Sequence, residues 1–287
     1  MANQADTLPD VAARSEQRHI RLVPSKGWIH INFRELVEFR ELLYFLTWRD
    51  VKVRYKQTAL GATWAVLQPF LQMVVFSIFF GRLAGLDSEG FPYPIFNYAA
   101  LLPWNYFSYA VSTGSNSLVA NANMITKVYF PRLIVPLSGV FSGLVDFAVS
   151  FIVLIGMMIF YGITPTAAVF FLPLFILLAM VTATGVSLWF SAMNVAYRDV
   201  RYVLPFIVNL WMYATPVIYS SSELPQPWRT LYGINPMAGV VEGFRWALLG
   251  TDPTGPMIWV SVAVALLLLV SGLYYFHRTE KTFADVI

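Results

Sequence analysis

The stretch Glu41–Pro69, ELLYFLTWRDVKVRYKQTALGATWAVLQP, decides the fold of this chain. Its first half alternates bulky apolar residues with Arg49, Lys52 and Arg54, and its second half carries no charge. This pattern is typical of a basic amphipathic helix on a membrane surface that turns, near residues 58–61, into a membrane-spanning helix. The stretch therefore predicts a membrane protein with a lever on which a cytoplasmic motor can push.

The composition of the whole chain also indicates a membrane protein. Hydrophobic residues make up 57% of the 287 residues and charged residues 12%, whereas soluble domains carry roughly a quarter of charged residues. A membrane span needs about 20 apolar residues, and uncharged runs of that length recur along the chain. We therefore predict an all-α integral membrane protein. The absence of cysteine excludes disulfides and thiolate metal sites.

Six transmembrane helices fit the uncharged runs. We predict a cytoplasmic tail over residues 1–32, an interfacial amphipathic helix over 33–57 and a six-span domain over 58–287. The predicted spans are about 61–83, 95–119, 137–161, 167–193, 203–219 and 257–276. The segment before the last span is rich in Pro, Gly and Trp, and we predict a re-entrant helical hairpin there, with one short helix over 236–249 and part of another over 227–232.

Two local contacts are also predicted from spacing. Glu242 and Arg245, three residues apart, are expected to form a local ion pair. The apolar face of the interfacial helix is predicted to comprise Phe33, Leu36, Val37, Leu43 and Leu46.

The distribution of basic residues predicts the orientation. Of the 19 Lys and Arg residues, only Arg82, Arg229 and Arg245 fall on the loops predicted outside when the N-terminus is inside. The positive-inside rule then predicts a multi-pass protein of the cytoplasmic (inner) membrane with both termini in the cytoplasm. The basic N-terminal segment is predicted to bind membrane lipids and not nucleic acid, because acidic residues interrupt it and a span follows at once.

The sequence predicts no chemistry of its own. It has no GxxxxGK[ST] nucleotide-binding loop, and its three histidines are not spaced as a metal site, so we predict no catalytic residue and no metal. Asp146 is the one ionisable residue clearly inside a predicted span; structural hydrogen bonding and proton coupling are both open roles for it. The chain is interpreted as a transport subunit driven by a separate motor. The alternative is a membrane glycosyltransferase or polymerase acting on lipid-linked sugars.

Several motifs in a fixed order resemble one known family. They are WRDVKVRYKQTALGATWAVLQP at 48–69, LLPW at 101–104, ITKVYFPRLIVP at 125–136, YRDVR at 197–201 and INP at 234–236. From about residue 27 onward the chain resembles the permease subunits of polysaccharide ABC exporters for O-antigen, capsule and teichoic acid. The resemblance implies export of a lipid-linked polysaccharide by a homodimer with one channel. It also implies two copies of a separate ATP-binding subunit, which holds ATP and Mg, and no cofactor on this chain. An ABC permease for drug or lipid export is the alternative within transport.

The resemblance and the residue types together predict three sets of site residues. Aromatic faces and hydroxyls suit a sliding sugar chain, although interfacial anchoring, ordinary packing and dimer packing are open alternatives. The predicted channel lining is Trp104, Tyr106, Phe107, Tyr109, Ser112, Asn116, Trp211 and Tyr213. The predicted ATPase-coupling residues are Arg49, Lys52, Arg54, Lys127, Tyr129, Phe130, Arg132, Arg198 and Asp199. The predicted outer (periplasmic) gate comprises Trp228, Tyr232, Asn235 and Pro236.

Overall fold

The computed structural model describes residues 33–56, 61 and 63–283, and over these residues it contains eleven α-helices and no strand. The predicted tail over 1–32, the turn at 57–60 and the last four residues lie outside the described residues. The helices are α1 (Phe33–Glu38), α2 (Arg40–Lys56), α3 (Thr63–Phe76), α4 (Tyr93–Ala120), α5 (Ala122–Ile125), α6 (Ile134–Tyr161), α7 (Leu172–Ala196), α8 (Val200–Tyr213), α9 (Trp228–Leu231), α10 (Pro236–Leu249) and α11 (Met257–Thr279).

Four helical segments of the described chain are long and apolar enough to cross a membrane. They are Thr63–Leu83, in which α3 continues as a π-helical turn, Ile134–Tyr161, Ala167–Ala196 and Met257–Thr282. They match the first, third, fourth and sixth predicted spans, and the predicted all-α membrane class is confirmed. Helices α4 and α8 are not among the helices that are both long and apolar enough to cross a membrane. Helix α4 has 28 residues but carries many polar side chains, and α8 has 14 residues, which gives a length of about 21 Å.

Helix α4 lies in the centre of the molecule. It packs against α6 and α7 on its long sides and against α3, α8 and α10 elsewhere. Most of its side chains are buried, including the polar Asn97 and Ser115. A helix surrounded by other helices needs no apolar surface toward lipid, and this position explains why its composition differs from that of α6 and α11.

Small residues allow the central helices to approach closely. A Cβ atom added at Gly139 of α6 would lie 3.0 Å from the backbone nitrogen of Gly114 in α4. A Cβ atom added at Gly185 of α7 would lie 2.7 Å from the carbonyl carbon of Leu268 in α11. The sequence predicted close packing at Gly139 and Gly143, and the α4–α6 contact confirms it.

The predicted amphipathic helix differs in detail from the observed one. It is divided into α1 and α2, and α2 packs along α6, although it was expected to lie by itself on a membrane surface. Leu46 is buried and Leu36 and Leu43 pack beside it, but Val37, which was predicted on the same face, is exposed. The predicted helical spacing is therefore correct at three of these four positions, and the contact with α6 determines which face of α2 is buried.

The helix predicted over 203–219 begins at Val200 and ends at Tyr213. Pro216 disfavours helical geometry at the residue before it. The carbonyl groups of Pro216, Val217 and Tyr219 are bound instead by a side chain of α10, described below. The predicted hairpin segment contains two helices, α9 and α10, in the places where short helices were expected.

Candidate functional site

One end of the helix bundle is formed by an apolar cluster to which several chain segments contribute. The cluster joins α2, the last turn of α4, α5, the first turn of α6, the last turns of α7 and the end of α11. Its buried residues include Leu46, Leu118, Phe130, Ile134 and Phe276. Basic residues flank it on the adjoining segments, so we call this the basic end, and we call the end that contains α9 and α10 the opposite end.

The predicted coupling residues divide into exposed and engaged side chains at the basic end. Lys52, Lys127, Tyr129, Arg198 and Asp199 are exposed. Phe130 is buried in the apolar cluster, and Arg49 pairs with Asp50 at 2.8 Å. The exposed residues come from α2, the α5–α6 segment and the α7–α8 turn. The fold therefore presents all three predicted contact elements at one end.

The segment between α5 and α6 is held by neighbouring elements. Arg132 donates a hydrogen bond to the backbone carbonyl of Glu280, and its guanidinium faces the ring of Phe283 at 6.0 Å. The Tyr129 hydroxyl donates to Glu35 of α1 at 3.5 Å. Partial burial, followed by the charge of Glu35, raises the pKa of Tyr129. This segment is thus fixed between α1 and the end of α11, while the side chain of Val128 points outward.

A charged contact joins α2 to α6. Arg54 and the hydroxyl of Tyr55 both donate to the carboxylate of Asp146, each to a different oxygen. The Arg54 guanidinium also stacks on the ring of Tyr109 in α4, with 3.8 Å between its carbon and the ring centroid. Asp146 thus has partners on α2, as a carboxylate within an apolar helix requires. The sequence predicted that Asp146 must face protein or water but not which residue meets it.

The aromatic residues of α4 lie inside the protomer. Trp104, Tyr106 and Phe107 are buried, with Phe107 against Trp211 of α8 at 5.1 Å between ring centroids. The Tyr106 hydroxyl donates to the carbonyl of Val140 at 3.4 Å. In this conformation the three α4 rings pack between helices, so they do not present a face to a polymer. The alternative of ordinary packing describes their observed surroundings.

The remaining predicted lining residues are less buried. Tyr109, Ser112, Asn116 and Trp211 are half-buried, and Tyr213 is exposed. Asn116 accepts a hydrogen bond at 3.0 Å from Asn194 of α7. The Trp211 indole donates to the Asn235 side chain at 2.9 Å. The structure therefore places Trp211 in contact with Asn235, which was predicted in the outer gate.

Asn235 organises the opposite end. Its side-chain oxygen caps α10 by accepting from the backbone of Met237, and its amide donates to Ala214 and Thr215 just after α8. Of the other predicted gate residues, Tyr232 donates to the same Ala214 carbonyl, Pro236 is buried and Trp228 is exposed. The gate residues thus connect the end of α8 with the start of α10.

Arg245 of α10 is the most completely enclosed charge of the described chain. Its guanidinium donates to the carbonyl oxygens of Phe96, Pro216, Val217 and Tyr219 and pairs with Glu242 at 3.3 Å. It also stacks on the ring of Phe96 at 3.6 Å. Arginine is suited to this task because its planar fork carries five donors. The sequence predicted a local pair with Glu242 and missed the carbonyls, since residues 214–219 were assigned to a helix.

The described residues do not offer a metal site. Within 33–56 and 63–283, no three His, Cys, Asp or Glu side chains are grouped so that they can hold a metal ion.

Comparison with known proteins identifies the family. The family model described as "ABC-2 type transporter" matches residues 41–249, which extend from α2 to the end of α10 and leave out α11. The chain belongs to the ABC-2 type transporter family. It is similar to the O-antigen export system permease protein RfbA of Myxococcus xanthus, with 30% identity over 88% of this chain and 98% of the relative. It is also similar to RfbA of Klebsiella pneumoniae, with 29% identity over 86% and 95%. The polysialic acid transport protein KpsM of Escherichia coli is 21% identical over 81% and 91%.

Membership in the ABC-2 family makes the chain a multi-pass membrane permease subunit. In ABC-2 transporters ATP is bound by separate ATP-binding subunits with which the permease pairs. The predictions of the family and of a transport subunit without its own ATPase are therefore confirmed.

Proposed function

We propose that this chain exports a lipid-linked polysaccharide of the O-antigen type across the cytoplasmic membrane, using ATP hydrolysed on a separate subunit. The similarity to O-antigen export permeases over nearly their full length carries this proposal. It extends through every predicted contact element and the α9–α10 segment, so it is not limited to a shared membrane anchor. The distribution of basic residues favours a cytoplasmic location for the basic end. The opposite end carries Arg82, Arg229 and Arg245, whereas the remaining Lys and Arg residues lie elsewhere.

The proposed topology has six membrane crossings, with both termini in the cytoplasm. Helix α4 supports it, because Phe96 near its start contacts Arg245 at the opposite end and Leu118 near its finish lies in the apolar cluster of the basic end. At 28 residues and about 42 Å, α4 runs the full height of the bundle. Helix α8 begins at the basic end and continues as the segment held by Arg245, which makes the other crossing. Helices α9 and α10 then form a hairpin on the outer side.

The proposed assembly is a homodimer with two ATP-binding subunits at the basic end. Exposed Lys52, Lys127 and Arg198 are the proposed contacts for the ATP-binding subunit. Charged, exposed side chains from three separate segments at one end suit a partner that binds and releases during a cycle. The proposal also includes an interfacial location for residues 33–57 and a cytoplasmic location for residues 1–32.

The proposed path for the polymer lies between two copies of the chain and not within one. Trp104, Tyr106 and Phe107 form the packed wall behind this path, because they are enclosed by other helices of the same protomer. Exposed Tyr213 and half-buried Tyr109 and Ser112 are the proposed lining residues. Repeated weak contacts of rings and hydroxyls let a polymer slide, whereas tight binding would stop it.

The test is export in a reconstituted system. A tagged chain is coexpressed with an ATP-binding subunit from the same organism, purified in detergent and placed in vesicles with a lipid-linked O-antigen. We expect retention of the ATP-binding subunit during purification and ATP-dependent movement of polymer to the other side of the vesicle membrane. ATP-binding subunits that cannot hydrolyse ATP provide the control.

Two results would contradict the proposal. If the tagged chain never retains an ATP-binding subunit, it is not the permease of such a complex. If the complex hydrolyses ATP and moves a labelled drug or phospholipid but not the lipid-linked polymer, the alternative of drug or lipid export replaces polysaccharide export.

A further inference from the structure

The contact between α2 and α6 is made on one face of α2. Asp50 and Arg54 lie one helical turn apart on α2. The Ser138 hydroxyl of α6 donates to Asp50 at 3.3 Å, and Arg54 and Tyr55 donate to Asp146, about two turns further along α6. Leu46, one turn before Asp50, is buried in the apolar cluster of the basic end. Helix α2 is therefore attached to α6 by an apolar contact followed by two polar ones.

The polar part of this attachment is incomplete. The side chains of Arg54 and Asp146 are 22% and 25% exposed. The second terminal nitrogen of Arg54 is shielded from water and finds no hydrogen-bond partner among the residues that the structure describes. A pair that is only partly enclosed by the protomer and leaves one donor unpaired is held less strongly than a fully enclosed pair, so it can open at lower cost.

The contact covers a polar patch. Beneath the Arg54 guanidinium lie the ring of Tyr109, whose hydroxyl is 3.3 Å from that of Ser142, and the carboxylate of Asp146. A Cβ atom added at Gly143 would lie 2.9 Å from the Tyr109 ring, so this ring is confined between α6 and Arg54. Movement of α2 away from α6 would uncover a ring, two hydroxyls and a carboxylate together.

We infer that α2 is a latch whose Arg54–Asp146 contact opens in every transport cycle and uncovers this patch on α4 and α6. The inference rests on the proposed function, in which the ATP-binding subunit acts at the basic end. In this motion α2 turns about the apolar contact at Leu46, so the polar contacts further along the helix open while the apolar contact is kept. Asp146 then faces water in the opened space. A carboxylate in an apolar helix requires such contact with water when its protein partner leaves. Asp146 is thus a positioning residue for α2.

A disulfide lock tests the latch. The chain has no cysteine, so the double variant Asp50→Cys/Ser138→Cys places two thiols, and no others, at positions whose native side chains are in hydrogen-bond contact. Oxidation links α2 to α6, and reduction releases it. In the reconstituted complex we expect oxidation to lower polymer export by at least about tenfold, within the range of allosteric coupling, and reduction to restore it.

The controls separate the latch from the proposed function. Each single cysteine variant, treated with the same oxidant, should export as it does when reduced. If the wild-type complex exports no polymer, the proposed function fails. If it exports polymer, and the fully cross-linked variant exports at the rate of its reduced form, α2 does not need to leave α6 and the latch is wrong. The charge exchange Arg54→Asp/Asp146→Arg should recover export that each single change loses, and failure to recover would also count against the contact.

Discussion

Two arginine–carboxylate pairs lie at different levels of this molecule, and only one of them is fully enclosed by the protomer. At the opposite end the side chains of Arg245 and Glu242 are 0% and 1% exposed, and Arg245 also binds four backbone carbonyls. Toward the basic end Arg54 and Asp146 are 22% and 25% exposed, and Arg54 retains an unpaired donor within the described residues. The same two functional groups are used, with different degrees of enclosure.

The difference in enclosure indicates different tasks. A fully desolvated pair is held in place, since separating it leaves a buried charge without compensation. A pair that the protomer encloses only in part can separate at lower cost, because less of each charge is desolvated by the protein. Arg245 therefore fixes the geometry of residues 214–220 between α8 and α10, while Arg54 makes a contact that can open and close.

The largest effect is expected from Arg245→Met. It leaves Glu242 and the carbonyls of Pro216, Val217 and Tyr219 buried without their donor, and we expect a loss of about 3–5 kcal/mol of stability. Yield of monodisperse protein and thermal unfolding in detergent measure it. Arg229→Met, at the same end and with one 3.4 Å bond to Pro253, is the matched control. Equal stability of the two variants would show that Arg245 is not a fixed anchor.

A smaller effect is expected from Gly139→Val, which tests the close packing of α6 on α4 near the Arg54–Asp146 pair. The new side chain would push against the Gly114 backbone 3.0 Å away, and we expect a loss of about 1–3 kcal/mol. Gly156→Val on the same helix is the control, because a Cβ atom there meets nothing within 4 Å. Thermal unfolding of both variants measures the difference, and similar midpoints would contradict the observed α4–α6 approach.

Asp146→Asn is expected to change stability by about 1 kcal/mol, since its partner Arg54 can turn toward water. Its effect on transport should be larger, because α2 loses its charged attachment. We expect the ratio of polymer exported to ATP hydrolysed to fall about tenfold, as for a lost coupling of ordinary size. Asp146→Glu keeps the charge and should retain much of this ratio. A normal ratio in Asp146→Asn would remove the functional difference between the two pairs.

The smallest effect on stability is expected from Lys52→Ala/Lys127→Ala/Arg198→Ala, whose parent side chains are exposed. Stability should stay within about 0.5 kcal/mol of the wild type. Affinity for the ATP-binding subunit should fall, measured by titration of the purified subunits and by its salt dependence. Arg82→Ala, exposed at the opposite end, is the control. Unchanged affinity in the triple variant would place the ATP-binding subunit elsewhere.

Hydrophobic runs and small residues were enough to predict much of the fold. Four of the six spans predicted from apolar length are helices that are able to cross a membrane, and Gly139 marked a close helix contact. The two short helices before the last span were predicted because their segment is too rich in Pro, Gly and Trp for another full span. These features depend on local sequence, which is why they could be read without a structure.

Features that depend on distant residues could not be predicted. Arg245 binds Phe96 across 149 positions, and Arg54 meets Asp146 across 92 positions. No local pattern indicates such pairs, although a carboxylate in an apolar helix does indicate that some partner exists. The α4 aromatics were predicted as channel lining because aromatic faces and hydroxyls suit a sugar chain, but such residues also occur in packed walls. Only the surrounding helices distinguish the two cases.

The central position of α4 has a consequence for how the chain enters the membrane during synthesis. Helix α4 carries Asn97, Asn105 and Asn116, and many of its contacts are with α6, α7 and α10, which are made later. Until those helices emerge, its amides would face lipid, where unsatisfied polar groups are costly. We therefore expect α4 to stay beside the insertion machinery until α6 and α7 arrive. The helix that lies deepest in the finished protein would then be among the last to settle into the bilayer.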